Sequence, residues 1–209
     1  ESDVRNDTLL WWSIVCMRAS RITNDNSYLA EAQRIYDRLW STQVDNSLDG
    51  GMWRRSDKRT TKGADVNFAA VVAALNLYAS TKELKYVLQG RKLYQWASER
   101  LFDPATGAVH GGLSADGSLD GTESIDCLGL FLGASLRLYR ATGSRVYLAN
   151  AQKAADRLVG VYSERGLLKP SACSPDGGHG GIAVRYVFRD PVIDLDAYIR
   201  DICELLAER

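Results

Sequence analysis

Three stretches of this chain align on a tyrosine: "MRASRITNDNSYLAEAQRIYDRLW", "LNLYASTKELKYVLQGRKLYQWAS" and "LRLYRATGSRVYLANAQKAADRLV". Their anchors, Tyr28, Tyr86 and Tyr147, are 58 and 61 residues apart. Five residues before each stands Thr23, Thr81 or Thr142, and four after each stands Ala32, Gly90 or Ala151. Each unit reads as an apolar helix, a short turn and an amphipathic helix. The first helices, near Leu9–Ser20, Phe68–Ser80 and Leu128–Arg140, are apolar nearly all round, which predicts burial on most faces. The second, near Tyr28–Ser41, Glu83–Glu99 and Arg145–Val161, carry charge on one side, as an outer layer does. Gly- and Asp-rich loops follow each pair, and residues 181–188 and 191–207 look like one further pair.

A fixed period of helical hairpins implies a solenoid or a closed toroid, and buried first helices favour the toroid. The expected class is all-α, a helical-hairpin toroid like an (α/α)6 barrel, with about seven to eight major helices. Six hairpins at this period need roughly 350 residues. The 209 residues therefore predict an incomplete ring, in one domain over 1–209, with an exposed apolar patch where the ring does not close.

The same register carries an aspartate 21 residues before each anchor: Asp7, Asp65 and Asp126. All three precede a first helix, so they are expected at one end of the bundle, round a shared depression. Two roles fit such a residue. Aspartate is a favoured N-cap and its charge suits the positive helix end. A carboxylate kept ionised in a cavity is also what attack on a sugar requires.

Composition excludes several classes. Twenty-six basic and 26 acidic residues cancel, so nothing draws the chain to nucleic acid or an anionic membrane. No apolar run approaches the roughly 20 residues of a membrane span. No signal-peptide pattern opens the chain and no Met begins it, so Glu1 reads as a boundary left by processing or similar. Cys16, Cys127, Cys173 and Cys203 form no CxxC pair, and with only His110 and His179 no metal site and no cofactor are expected. Cys16 and Cys127 lie in apolar helical runs and read as buried free thiols.

The motifs "NDTLLWWSIVCMRASRITNDNSYL", "DGGMWRR", "KGADVNFAAVVAALNLY", "YRATGSRVYLANAQKAADRLV" and "GGIAVRY", in that order, resemble glycoside hydrolase family 76, the α-1,6-mannanases and related fungal wall enzymes. The resemblance covers most of the chain and corresponds to the later two-thirds of that family's (α/α)6 barrel. It implies a retaining endo-α-1,6-mannosidase acting on α-mannan, in a secreted or cell-surface setting. In the family two adjacent aspartates before an aromatic-rich helix serve as nucleophile and acid/base. Aligned through Trp11 and Trp12, Asp7 falls on the first and Thr8 on the second. Lys62 and Asn67 match a Lys-Asn-x-x-x-Asn helix start in which Gly63 replaces the first Asn. Asp126, Cys127 and Leu128 replace a Tyr-Asn-Gln.

A threonine hydroxyl does not protonate a leaving oxygen near neutral pH, and general-acid help is worth about 10²–10⁴-fold. Asp65 and Asp126 are therefore the candidates to replace the acid. Trp53, in a loop beside Gly50 and Gly51, is the preferred sugar platform. Trp11, Lys62 and Asn67 are further binding candidates, and Trp96 is expected in the core. Arg54 and Arg55 either meet an acidic sugar or are solvated. Asn6-Asp7-Thr8 is formally a glycosylation sequon, unused if it faces a cavity. Three functions compete at this point: an active glycosidase, a degenerate barrel that binds glycan without cleaving it, and a helical scaffold with no small ligand.

Overall fold

The computed structural model describes residues 5–164 and 167–168. Six helices, each 18 residues long, make three hairpins: α1 (Asn6–Thr23) with α2 (Asn26–Gln43), α3 (Ala64–Thr81) with α4 (Leu84–Leu101), and α5 (Ile125–Thr142) with α6 (Arg145–Tyr162). Within each pair the two helices pack together, and α3 also packs between α1 and α5. The first helix of each pair is the inner one, as the hydropathy pattern required. The expected fourth pair, together with His179, Cys173, Cys203 and "GGIAVRY", lies outside the described residues.

The repeated threonine explains the turns. Thr23, Thr81 and Thr142 each end an inner helix and donate to the carbonyl four residues back, at 2.8, 2.9 and 2.7 Å. Each hydroxyl also accepts the backbone N–H two residues on. The intervening residue, Asn24, Lys82 or Gly143, takes a left-handed conformation that ends the helix. The chain reverses in two residues, and the outer helix starts in the same register each time.

The small residue four after each anchor lets the outer helix approach. Ala32 and Ala151 are fully buried, and Ser13 of α1 donates to the Ala32 carbonyl at 2.9 Å. Of the anchors, Tyr86 is a core aromatic and Tyr147 packs part-buried against the core. Tyr86 meets Tyr36 edge-on at 5.6 Å and Tyr147 meets Tyr94 at 5.2 Å, while Tyr28 stays exposed. Between α3 and α5 the core is aromatic, with Phe131 against Phe68 at 5.1 Å and Phe102 at 4.3 Å. Cys16 and Cys127 are buried free thiols, and burial pushes the Cys127 thiol up to about 12.

Two features refine the expected fold. First, a three-stranded antiparallel sheet, β1 (Thr61–Gly63), β2 (His110–Ser114) and β3 (Leu119–Glu123), closes one end, more than the loop hairpin a purely helical pattern suggests. A two-residue pair, β4 (Ser163–Glu164) and β5 (Leu167–Leu168), follows α6. Second, the three hairpins among the described residues form an arc and not a ring. Thirteen residues of α3 and thirteen of α5 are buried, but only six of α1. Along α1, Trp12 (58%), Val15 and Ile22 are exposed apolar residues. No helix among the described residues is long and apolar enough to cross a membrane.

Candidate active site

The inner helices begin three or four residues earlier than hydropathy placed them, and this corrects the capping reading. Asp7, Asp65 and Asp126 are each the second residue of their helix. The N-cap positions are Arg5, Gly63 and Ser124, and of these only Ser124 caps with its side chain, accepting from Cys127 N. The three aspartates are therefore not N-caps. They stand in first turns, where the helix dipole favours their charge.

Asp7 and Asp65 are brought together by an arginine that the sequence did not single out. Arg5 Nε donates to Asp7 Oδ1 at 3.0 Å, and Arg5 Nη2 donates to Asp7 Oδ2 at 3.1 Å and to Asp65 Oδ2 at 2.9 Å. Both latter bonds leave one nitrogen, so the two oxygens are no farther apart than 3.1 and 2.9 Å laid end to end. On its other side Asp65 Oδ1 accepts from Arg54 Nε at 3.1 Å and from Val66 N at 2.9 Å. Arg54 in turn donates to the Gly111 carbonyl on β2 at 3.0 Å. Partial burial opposes the Arg5 charge, and the bonds and charges of Asp7 and Asp65 outweigh it, raising the guanidinium above its ordinary value. Asp126 opens α5 at the same end, and its neighbour Cys127 feels the charges of Asp65 and Arg54.

The approach of Arg54 to Asp65 depends on the residue between them. A Cβ on Gly63 would fall 2.1 Å from Asp65 Oδ1 and 2.5 Å from Arg54 Nε and Nη2. Any side chain there would displace the guanidinium or the carboxylate.

The binding candidates fare differently. Trp53 is only 4% exposed and donates its indole N–H to Asp45 Oδ2 at 2.7 Å, so it offers no face to a sugar. Lys62 is fully buried. Its ammonium donates to Asp45 Oδ1 (2.7 Å) and to the carbonyls of Ser47 and Gly50 (2.6 Å each), and stands 4.7 Å from the centre of the Trp53 ring. Asn67 is buried too, accepting from Met52 N and donating to the carbonyls of Met52 and Gly63. In this structure Trp53 and Lys62 bind the loop of residues 44–63 together through Asp45, Ser47 and Gly50, and Asn67 ties it to α3 at Met52. The polar groups clustered there because a Gly-rich loop has backbone atoms to satisfy.

Asp45 is the hub of that loop. Partial burial works against its charge, but bonds from Lys62, Ser47 and Trp53 overcome it and hold its carboxyl well below the usual carboxylate range. Burial lowers the Lys62 ammonium from its ordinary value. Trp96 is in the core as expected, its indole N–H bonded to the Leu48 carbonyl. Arg55 pairs with Asp57. Asn6 is buried, its amide bonded to the Trp53 carbonyl and to Ser56, so the sequon offers no accessible nitrogen.

Trp11 is half-buried against the core and one helical turn beyond Asp7, hence on the same face of α1. Thr8 is exposed beside Asp7. His110 is part-buried on β2, and its Nδ1 makes no hydrogen bond among the described residues.

An arc of helical hairpins with carboxylates gathered at the N-terminal ends of its inner helices defines an incomplete α/α barrel. The chain is a member of glycosyl hydrolase family 76, whose model matches residues 1–183. Among solved structures it is similar to an inactive variant of an α-1,6-mannanase from Salegentibacter sp. HEL1_6, with two consecutive aspartates replaced by asparagine, in complex with α-1,6-mannotriose. The identity is 27% and the TM-score 0.82, covering 100% of this chain and 64% of that one. The Lin0763 protein from Listeria innocua is similar at 27% identity and TM-score 0.81, covering 100% and 62%. Dfg5 from Chaetomium thermophilum, in complex with glucosamine, shares the fold at 17% identity and TM-score 0.82, covering 98% and 55%. The chain thus spans less than two-thirds of the length of these proteins. No curated protein sequence matches it.

Proposed function

We propose that this chain is a retaining glycoside hydrolase of α-1,6-linked mannan in which Asp7 is the nucleophile and the acid/base is impaired. The observation that carries the reading is the Asp7–Asp65 pair at the N-terminal end of the inner helices. The two carboxylates share the Arg5 Nη2, which sets Asp65 as a fixed anion beside Asp7, and the retaining course follows from the family resemblance. The likeness to a mannanase bound to α-1,6-mannotriose supports the substrate class.

In the proposed reaction Asp7 forms a bond to the anomeric carbon, the glycosidic bond breaks, and its electron pair leaves on the departing oxygen. Water then attacks the same carbon, releasing Asp7 and giving its proton to solvent. A natural sugar leaving group needs a proton as it departs. Thr8 is a poor source, and Asp65 is engaged by Arg5, Arg54 and Val66. Asp126 is the remaining candidate acid. Trp11 takes the stacking role first considered for Trp53.

The test is a comparison of leaving groups. An aryl α-mannoside with an activated phenol should be cleaved measurably, α-1,6-mannan hardly at all, and Asp7→Ala should abolish both. Thr8→Asp should raise activity on mannan up to about 10²–10⁴-fold. Failure to cleave the activated substrate and to bind α-1,6-mannotriose by calorimetry would sink the reading. A second reading, a glycan-binding barrel without catalysis, is favoured by the guanidinium lodged between the two carboxylates. Mannotriose binding without aryl-mannoside cleavage would establish it.

A further inference from the structure

We infer that Arg5 is the positioning residue of this site: one guanidinium sets both the orientation of Asp7 and its distance from Asp65. The inference rests on the glycosidase reading above and adds to it a residue outside the family's aspartate pair. Its fork engages both oxygens of Asp7 through Nε and Nη2, which fixes the carboxylate plane as well as its place. The shared Nη2 then couples that carboxylate to Asp65 on the next inner helix.

The anchor points of this bridge are themselves held. The Arg5 backbone pairs with Arg55 in an antiparallel bridge, and Leu9 N donates to its carbonyl. The following residue bonds Arg54 O through its backbone N–H at 3.0 Å and Trp53 O through its side chain at 2.7 Å. Asp65 is fixed from behind by Arg54, which has room only because residue 63 is glycine. Asp65 therefore serves as a fixed anion near the developing sugar cation, and Arg5 holds Asp7 in register with it.

Two physical facts make the idea testable. The Arg5 side chain is 44% exposed, so its ion pairs contribute little to folding. Misplacing a reacting group by about 1 Å, by contrast, costs about 10²-fold in rate. A scaffold role and a positioning role thus predict opposite patterns.

The experiment uses the full chain and the activated aryl α-mannoside. Arg5→Gln should leave the melting temperature nearly unchanged and lower kcat about 10²-fold with KM little altered. Arg5→Lys should recover only part of the loss, because an ammonium is a point charge that cannot fork across a carboxylate. The Arg5 Nε–H resonance should show slowed exchange in the unaltered protein and lose it in Asp7→Asn. If Arg5→Gln cleaves as fast as or faster than the unaltered protein, or changes KM alone, the positioning role is overturned while the glycosidase reading stands. If the resonance exchanges freely, the bridge does not form in solution and the proposal falls. If the unaltered protein neither cleaves the substrate nor binds α-1,6-mannotriose, both fall together.

Discussion

Replacing Lys62 by methionine tests whether the loop of residues 44–63 is held as described. The variant keeps the aliphatic stem and so leaves little cavity. What disappears is an ammonium with three short bonds, to Asp45 Oδ1, Ser47 O and Gly50 O, stacked on Trp53. Breaking a buried pair costs about 3–5 kcal/mol, because the partners are left buried and unsatisfied. Here the Asp45 side chain is 29% exposed and keeps bonds from Ser47, Trp53 and Arg59, so water and these donors recover part of the loss. The expected destabilisation is near the lower bound, about 3 kcal/mol. For a chain of this length that is a fall in melting temperature of roughly 6–12 °C. Urea unfolding should show a lower midpoint at unchanged slope.

The acid limb supplies an independent check. The folded Asp45 carboxyl lies below its unfolded value, so its contribution is present above the ordinary aspartate range near pH 3.9 and is lost as pH falls through and below it. Lys62→Met removes the largest of the bonds holding it there, so stability should fall less steeply on acidification. A loss under about 1 kcal/mol, the value of an ordinary surface pair, would refute the argument.

Glycine substitutions should split by position. Gly51→Ala should destabilise, since its φ is +80° and a Cβ would press to 2.6 Å from the Trp96 ring, whereas Gly90→Ala should stabilise by about 0.5–1 kcal/mol because a Cβ there meets Ala74 at an ordinary 3.5 Å; thermal melts of both variants decide it. Replacing Trp12 and Ile22 together by serine should change stability by no more than about 0.5 kcal/mol each and reduce self-association in light scattering. A loss well beyond that would mean that these α1 residues are covered.

The repeat made the hairpins legible because it is written in side chains that act locally. A threonine bonds its own helix, and a small residue admits the neighbouring one. The aspartate register was legible for the same reason, although the residues proved to lie in first turns rather than at caps. The sheet end was not. The β2 segment "HGGLS" has no alternation to announce a strand, and β1 is three residues. Lys62 stands out in the sequence because it matches a family motif, and lysines are seldom fully buried; the Asp45 carboxylate and two loop carbonyls that fold round it are not visible in the sequence. Arg5 escaped notice because one of its partners, Asp65, is 60 residues away in sequence. A basic residue two before a registered aspartate was the one signal that pointed to it.

The two ends of the bundle divide the labour of inheritance. At one end every reversal is two residues long and self-contained in a threonine bond. At the other, residues 44–63 and 102–124 cross between hairpins, carry the sheet, and deliver Arg54 to Asp65 and the Gly111 carbonyl to Arg54. Insertions and substitutions can therefore accumulate at the sheet end while the far end keeps the helices in place. A library confined to those two loops would explore new ligand chemistry on an undisturbed frame, and one aimed at the threonine turns would mostly yield chains that do not fold.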